Sequence, residues 1–458
     1  MAKALGFWRS TALVVGNMIG SGVFLLPASL AAYGGISILG WLFTATGAML
    51  LALVFAHLGR TVPRAGGVYA YTRIGFGDFA GFLVAWGYWI SIWSGNAAIA
   101  TAFAGYAGVF LPPLARDPLL AGAAAAGAIW LLSWVNALGV RSAGIVQLAT
   151  TVLKLLPLIA VGTIGLLFFN REHFSPFNPS GEPALSALAA TAALTLWAFT
   201  GLESATIPAE QVADPRRTIP RATVMGTLTA ALVYILSTVA VMGLIPPGEL
   251  ARSTAPFADA ASLMWGGWAS RAVAAGAAVS CFGALNGWIL LQGQLPLAVA
   301  RDGLFPGIFV RLSKRGTPVA GIVISSGMAT VLIAMNYTRG LVAEFTFILL
   351  LATLTCLVPY VFCSAADAIL RLRNGTATGG RRWLLAVPGL AFAYSLWAIG
   401  GAGRDTVYWG FLLLLAGIPV FVWVRLRQTR GGETRLTAPA VVSEGGFSNQ
   451  DNHGGKRP

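Results

Sequence analysis

The sequence predicts an all-α integral membrane protein of about twelve transmembrane helices, with helices one and six interrupted at mid-membrane. Three observations carry this. Of 458 residues, 57% are hydrophobic and only 10% charged, and mean hydropathy is +0.75, whereas a soluble domain carries about a quarter charged residues. Apolar segments long enough to cross a bilayer follow one another along the chain. Two of them hold polar, glycine-containing interruptions near their centres, where a simple spanning helix has no use for them.

Span one, about 10–32, contains the stretch around which the chain is organised, Gly16-Asn17-Met18-Ile19-Gly20-Ser21-Gly22-Val23-Phe24. Glycine weakens a helix, and freed backbone groups in hydrocarbon are costly unless something satisfies them. Two readings fit. One is a helix unwound around a bound polar ligand, a half-helix N-terminus aimed at an anion. The other is a close helix–helix contact at Gly16, Gly20 and Gly22.

The further spans fall near 38–58, 77–110, 118–137, 143–169, 185–210, 219–245, 266–298, 317–336, 341–370, 383–402 and 405–426. Those at 77–110 and 266–298 are long enough to tilt. Residues 1–9 form a short N-terminus, 10–426 the transmembrane domain, and 427–458 a polar, glycine-rich, disordered tail. The first apolar segment is too long and glycine-rich for a cleaved secretory signal.

The formal charge of +14 does not call for nucleic acid, because the basic residues sit in short loops between spans. With the N-terminus inside, Arg60, Arg64, Arg73, Arg141, Arg216, Arg217, Arg221, Arg301, Arg311, Lys314, Arg315, Arg371, Arg373, Arg381 and Arg382 are cytoplasmic. Lys3, Arg9, Arg425, Arg427, Arg430 and the tail's Arg435, Lys456 and Arg457 join them, leaving Arg116, Arg171, Arg252, Arg271, Arg339 and Arg404 outside. A bias of roughly four to one places both termini in the cytoplasm, as expected for an inner-membrane protein. Cys281, Cys356 and Cys363 lie inside apolar segments as small hydrophobes, and His57, His173 and His453 are too scattered to bind a metal. No cofactor motif is present.

Span six carries the second interruption, Trp197-Ala198-Phe199-Thr200-Gly201-Leu202-Glu203-Ser204-Ala205. Spans one and six each head a group of five, and an odd-numbered group inverts its topology when repeated. Interrupted spans at matching positions point to a ligand site between inverted repeats, which favours unwinding over simple close packing in span one.

The motifs Gly16 to Pro27, Pro63 to Tyr71, Leu196 to Ala205, Asp214 to Thr223 and Asp302 to Pro306, in this order, resemble the amino acid/polyamine/organocation transporters. The resemblance covers about residues 10–425 and is greatest to the basic amino acid/polyamine antiporter branch, that of the bacterial arginine/agmatine antiporter. It implies two inverted five-helix repeats (about 10–169 and 185–370) plus two extra helices (about 383–426), working by alternating access. By matching position it implies that Ser21 and Gly22 donate to a substrate carboxylate, with Met18 contributing backbone. Thr200 and neighbouring carbonyls would accept from the amino group. Relatives of this branch are often dimers, though no interface is legible here.

Trp197 and Trp288 match positions that stack on and gate the substrate, and a tryptophan face over a desolvated cation is worth about 2 kcal/mol or more. Most of the fifteen tryptophans are better read as lipid-facing or interfacial. Glu203 is a carboxylate at mid-membrane, which by default marks a substrate or proton path. The resemblance gives it a proton-sensing role beside Tyr88 and Tyr360; a structural pairing is the plainer reading. Asn96, with Ser91 and Ile92, matches substrate-facing positions, against which stands an interhelical hydrogen bond. Ala352 and Cys356 replace hydroxyl-bearing residues of the antiporter and weaken the case for arginine or agmatine. Tyr69 matches a pH-responsive position, or else closes the inner vestibule by packing.

Lys154 departs from the antiporter, which is uncharged there. Exchanging and proton-coupled permeases of the wider family often have lysine at this position. An ammonium near the first break could bridge its carbonyls when charged and release them when neutral, or serve as a fixed strut between spans one and five.

An enzyme would need convergent nucleophile, base or metal groups, and none is visible within the spans. A channel would need a filter or charged ring, and an ATP-driven pump a nucleotide-binding loop. The sequence therefore predicts a secondary amino acid transporter, with small amino acids or amines as its partners. Exchange of a cationic amino acid for its decarboxylated amine, arginine/agmatine-like, is the first expectation. Proton-coupled symport or exchange of neutral amino acids through Lys154 is the alternative.

Overall fold

Apolar segments in hydrocarbon must satisfy their backbone groups internally, and helices do so within one segment. The computed structural model of this chain describes residues 6–20, 22–64, 66–138, 143–206, 209, 212–336 and 341–430. Ser21, Arg141, Arg339, residues 1–5 and the tail 431–458 lie outside the described residues. Span one is split into α1 (Phe7–Met18) and α2 (Gly22–Ala31). Spans two and three are α3 (Ile36–Thr61) and α4 (Val68–Ala107). The short α5 (Pro112–Arg116) precedes α6 (Pro118–Leu138), span four, and α7 (Ala143–Ile164) is span five. Span six begins as α8 (Ala184–Leu196) and then loses α-helical form; α9 (Pro215–Leu244) is span seven. Two short helices, α10 (Pro247–Leu250) and α11 (Pro256–Trp265), lead to span eight, α12 (Gly267–Arg301). Spans nine to eleven are α13 (Val319–Asn336), α14 (Leu341–Arg373) and α15 (Ala386–Gly401). Span twelve is α16 (Arg404–Leu415) with α17 (Gly417–Arg430).

Among the described residues, nine helical stretches are long and apolar enough to cross a membrane, and Leu153–Phe168 and Val319–Met335 are shorter apolar ones. With α4 they make the expected twelve. The α4 helix begins nine residues before the expected 77, but Gly77 (φ 82°, ψ −173°) breaks it, so its spanning part starts where the hydropathy placed it.

The packing repeats with a shift of five spans. Spans two and seven pack on each other, as do three and eight. Span one packs on seven as span six packs on two, and ten packs on three as five packs on eight. This is the contact pattern of two like five-helix units related by exchange, and the irregular backbone falls in the first member of each.

At the arginine-rich end, a chain of charged groups ties three regions together. The Tyr69 hydroxyl donates to Asp302 Oδ2 at 2.7 Å, and Arg73 donates to the same oxygen and to Asp78, each at 2.8 Å. Arg425 of α17 reaches the other Asp78 oxygen at 2.5 Å, and Gln428 donates to the Gly303 carbonyl at 2.5 Å. Single exposed pairs contribute little, but a network spanning a loop, a helix end and span twelve restrains all three. Burial, then the bond to Asp302, pushes the Tyr69 phenol well above its ordinary range, so Tyr69 acts as a donor across the physiological pH range. Nearby, Asp367 of span ten joins His57 of span two and accepts from Arg371 at 2.8 Å.

Close helix contacts rest on glycine at a few points. A Cβ on Gly401 would lie 1.9 Å from the Ala189 carbonyl oxygen, whereas one on Gly400 would meet nothing within 4 Å. Gly401→Ala therefore lowers the unfolding temperature in detergent, and Gly400→Ala leaves it unchanged or raises it slightly through helix propensity. Equal temperatures for the two variants would contradict this packing of span eleven on span six.

Candidate functional site

The break in span one follows from its residues. The α1 helix ends at Met18, Ile19 leaves helical geometry (ψ 82°), and α2 restarts at Gly22. The Gly20 amide turns back to the Met18 carbonyl at 2.9 Å. This leaves carbonyls without helical partners, and Lys154 takes two of them. Its Nζ donates to Gly16 O at 2.6 Å and Ile19 O at 2.8 Å. Lys154 is fully buried, and among the described residues no carboxylate pairs with it. The lysine of span five thus binds the opened turn of span one directly.

Span six breaks in a different way. Trp197–Phe199 form a 3-10 turn, Thr200 is extended (φ −63°, ψ 136°), and Gly201 takes φ 101°. That positive φ favours glycine, and a Cβ there would come within 3.3 Å of Asn17 backbone. The Thr200 hydroxyl donates to the Trp197 carbonyl at 2.7 Å. Asn17 Nδ2 donates to Ser204 Oγ at 2.9 Å and so links the two breaks.

Glu203 lies just past this turn and is fully buried. Tyr88 of span three donates to Oε1 at 2.5 Å, Tyr360 of span ten to Oε2 at 2.8 Å, and the Gly201 amide to Oε2 at 3.2 Å. One carboxylate therefore fastens spans three, six and ten. Hydrogen bonds to an ionised acceptor are roughly twice as strong as neutral ones. A change in the charge of Glu203 therefore acts on all three bonds at once.

Beside the break in span six lies a small cavity lined by Tyr88, Ser91, Ile92, Gly95, Ile99, Trp197, Thr200, Trp288 and Cys356, from spans three, six, eight and ten. Its free space is on the scale of one water molecule, so the lining must move before anything larger is held there. The Trp197 ring fills the gap between spans one and three. A Cβ on Gly22 would lie 2.6 Å from its Cδ1, and one on Gly95 2.5 Å from its Cη2. Trp197 and Trp288 are 8% and 7% exposed. Outward of the cavity, Phe24 packs on Tyr106 and Phe257, with ring centroids 5.7 and 5.3 Å apart, and the Tyr106 hydroxyl donates to the Phe24 carbonyl.

Most of the predicted site residues meet here. Ser91, Ile92, Tyr88, Trp197, Thr200, Trp288 and Cys356 line one cavity, Gly22 touches the Trp197 ring, and Tyr360 shares Glu203 with Tyr88. Others do not line it. Met18 is buried beside the break, and Ala352 contributes only its carbonyl, which accepts from Ser91 at 2.8 Å. Asn96 donates to Gln292 of span eight at 2.7 Å, the interhelical bond that stood against a substrate contact. Tyr69 belongs to the arginine-rich end, apart from the cavity. Sequence reasoning missed Gly95 and Ile99, which follow Ile92 at helical spacing of three and seven, and Asn17, which lies inside the first motif.

Two broken helices in direct contact, with a tryptophan-lined cavity beside the second break, within exchange-related five-helix units, define a multi-pass membrane transporter of the broken-helix class. The family model for amino acid permeases matches residues 5–430. The putrescine transporter PotE of Haemophilus influenzae is 32% identical over 424 residues, 92% of this chain and 97% of the relative. PotE of Escherichia coli K12 is 33% identical over 421 residues, 91% and 95% of the two chains. The cadaverine/lysine antiporter of the same strain is 36% identical over 377 residues, 80% and 84%. The chain belongs to the amino acid permease family of the APC superfamily.

The Glu203 contacts make a prediction about stability. Tyr88→Phe or Tyr360→Phe removes a donor from a buried carboxylate and costs about 1–3 kcal/mol. In a Glu203→Gln background the same changes cost clearly less, read from unfolding in detergent. Equal costs in both backgrounds would show that the two phenols do not act through the carboxylate.

Proposed function

We propose that the protein is a secondary exchanger in the inner membrane that swaps a cationic amino acid for an amine, working by alternating access. The observation that carries this is the pair Trp197 and Trp288 on one cavity beside the break in span six, with Trp197 packed on Gly22 of the span-one break. Their faces suit a desolvated cationic side chain, at about 2 kcal/mol or more. The free amides at the start of α2 suit a carboxylate, and Ser21 and Gly22 are its proposed donors. Met18 would add backbone, and Thr200 with its neighbours would accept from the amino group. Asn96, Ala352 and Cys356 would bound the side-chain end, and Glu203 with Tyr88 and Tyr360 would couple occupancy to closure. Tyr69 would gate the arginine-rich end, which we take as cytoplasmic together with both termini.

Relatives named for putrescine and for cadaverine and lysine support a basic amino acid/diamine pair. An arginine/agmatine pair rests on motif likeness alone, and Ala352 and Cys356 weaken it. The test is uptake of labelled putrescine, cadaverine, lysine and arginine into proteoliposomes, each empty or loaded with the others. Uptake only into loaded vesicles, with a diamine and a basic amino acid exchanging, is the expected result. Uptake of none of the four would overturn the proposal.

Lys154 favours a second reading, proton-coupled movement of a neutral amino acid. If its bonds to Gly16 and Ile19 are the switch, Lys154→Ala abolishes accumulation driven by a pH gradient while exchange persists. If the lysine is a strut, both fall together.

A further inference from the structure

Gln292 plays no part in the site as predicted, yet its bonds fix the chemistry of the group beside it. A backbone carbonyl can only accept. The Ile322 carbonyl of span nine lies 3.2 Å from Gln292 Nε2, and Ser326 Oγ lies 2.7 Å from the same nitrogen. The amide nitrogen of Gln292 must therefore face span nine. Ser326 is itself held by Ser133 of span four at 2.7 Å, so the anchor is shared by two spans.

With its nitrogen committed, Gln292 presents its oxygen to span three. Asn96 meets that oxygen at 2.7 Å and must do so with Nδ2. The Asn96 amide cannot flip without setting two oxygens against each other. Its own oxygen, Oδ1, is left over: it is buried and has no hydrogen-bond partner, and it is the only amide oxygen in that position among the described residues. Asn96 is flanked by Gly95, one turn past Ile92 and one before Ile99, all three of which line the cavity, and the Trp197 ring lies across Gly95. Gln292 follows Trp288 by one helical turn. The unpaired oxygen thus belongs to the sequence neighbour of Gly95, on the helical turn of span three that lines the cavity.

We propose that Gln292 is a positioning residue: anchored by Ile322 and Ser326, it holds the Asn96 amide so that Oδ1 is left to accept from an N–H group on the ligand side chain, an ammonium. This rests on the cation-exchange reading above and adds which atom of Asn96 faces the ligand and why. The site is thereby set to prefer a donor at this point and to reject an apolar or acceptor group, which would leave the oxygen unpaired.

The test is a double-mutant cycle in proteoliposomes, with putrescine as the probe and its KM and kcat measured separately. Asn96→Ala raises KM about tenfold. Gln292→Met, which keeps the length but frees the Asn96 amide, does the same with kcat within about twofold. The double variant is no worse than Asn96→Ala alone, because both changes remove one contact. Ser326→Ala leaves the Ile322 carbonyl in place and changes KM by about twofold or less. Gln292→Asn, a methylene too short to reach Asn96, gives the same KM rise and serves if Gln292→Met does not fold. Effects that multiply to about a hundredfold, or a loss confined to kcat, would overturn the inference. Wild-type protein that moves only neutral amino acids would overturn the proposed function and the ammonium named here. Cation exchange with multiplying variants would overturn this inference alone.

Discussion

The structure depends on one interaction, the Lys154 amine on the carbonyls of Gly16 and Ile19. Opening a helix inside a bilayer exposes backbone groups that hydrocarbon cannot satisfy. A buried amine has the mirror problem, since it needs acceptors that hydrocarbon also lacks. Each solves the other. Bonds of 2.6 and 2.8 Å satisfy two of the carbonyls that the opened turn of span one releases. The same two bonds fasten span five to the opened turn of span one.

Around that opened turn, the remaining polar groups form short bridges rather than one continuous network. Asn17 joins the two breaks through Ser204, Glu203 joins span six to spans three and ten, and Gln292 of span eight joins span three to span nine, where Ser326 bonds Ser133 of span four. Between the bridges the contacts are apolar or aromatic, with Trp197 wedged against two glycines. Such an arrangement is stiff where it bonds and yielding where it packs.

Much of this was legible in the sequence. The twelve spans follow from hydropathy, and the two breaks from Gly16 to Gly22 and from Trp197 to Ser204, because glycine and polar residues at mid-membrane have few other uses. Glu203 was legible for the same reason, as was Lys154. Asn96 was less so: an amide in an apolar helix reads equally as a ligand contact or as interhelical glue, and only the partner across the gap decides. Gln292 was illegible because its meaning lies in the Ile322 carbonyl, a backbone atom with no signature in sequence. The ion network of Asp78, Arg73, Asp302 and Arg425 was hidden too, since basic residues at that end already had an explanation in topology.

The most direct test of a ligand site beside the break in span six is alkylation of Cys356, which lines the cavity. The other two cysteines, Cys281 and Cys363, are buried elsewhere and can be replaced by alanine. The rate of modification by a small maleimide would be measured in proteoliposomes with and without saturating putrescine or lysine. Occupancy of the cavity predicts that either ligand slows the reaction several-fold, and that the protection disappears in Trp288→Ala. A rate indifferent to both ligands, in a protein that still exchanges them, would place the site elsewhere.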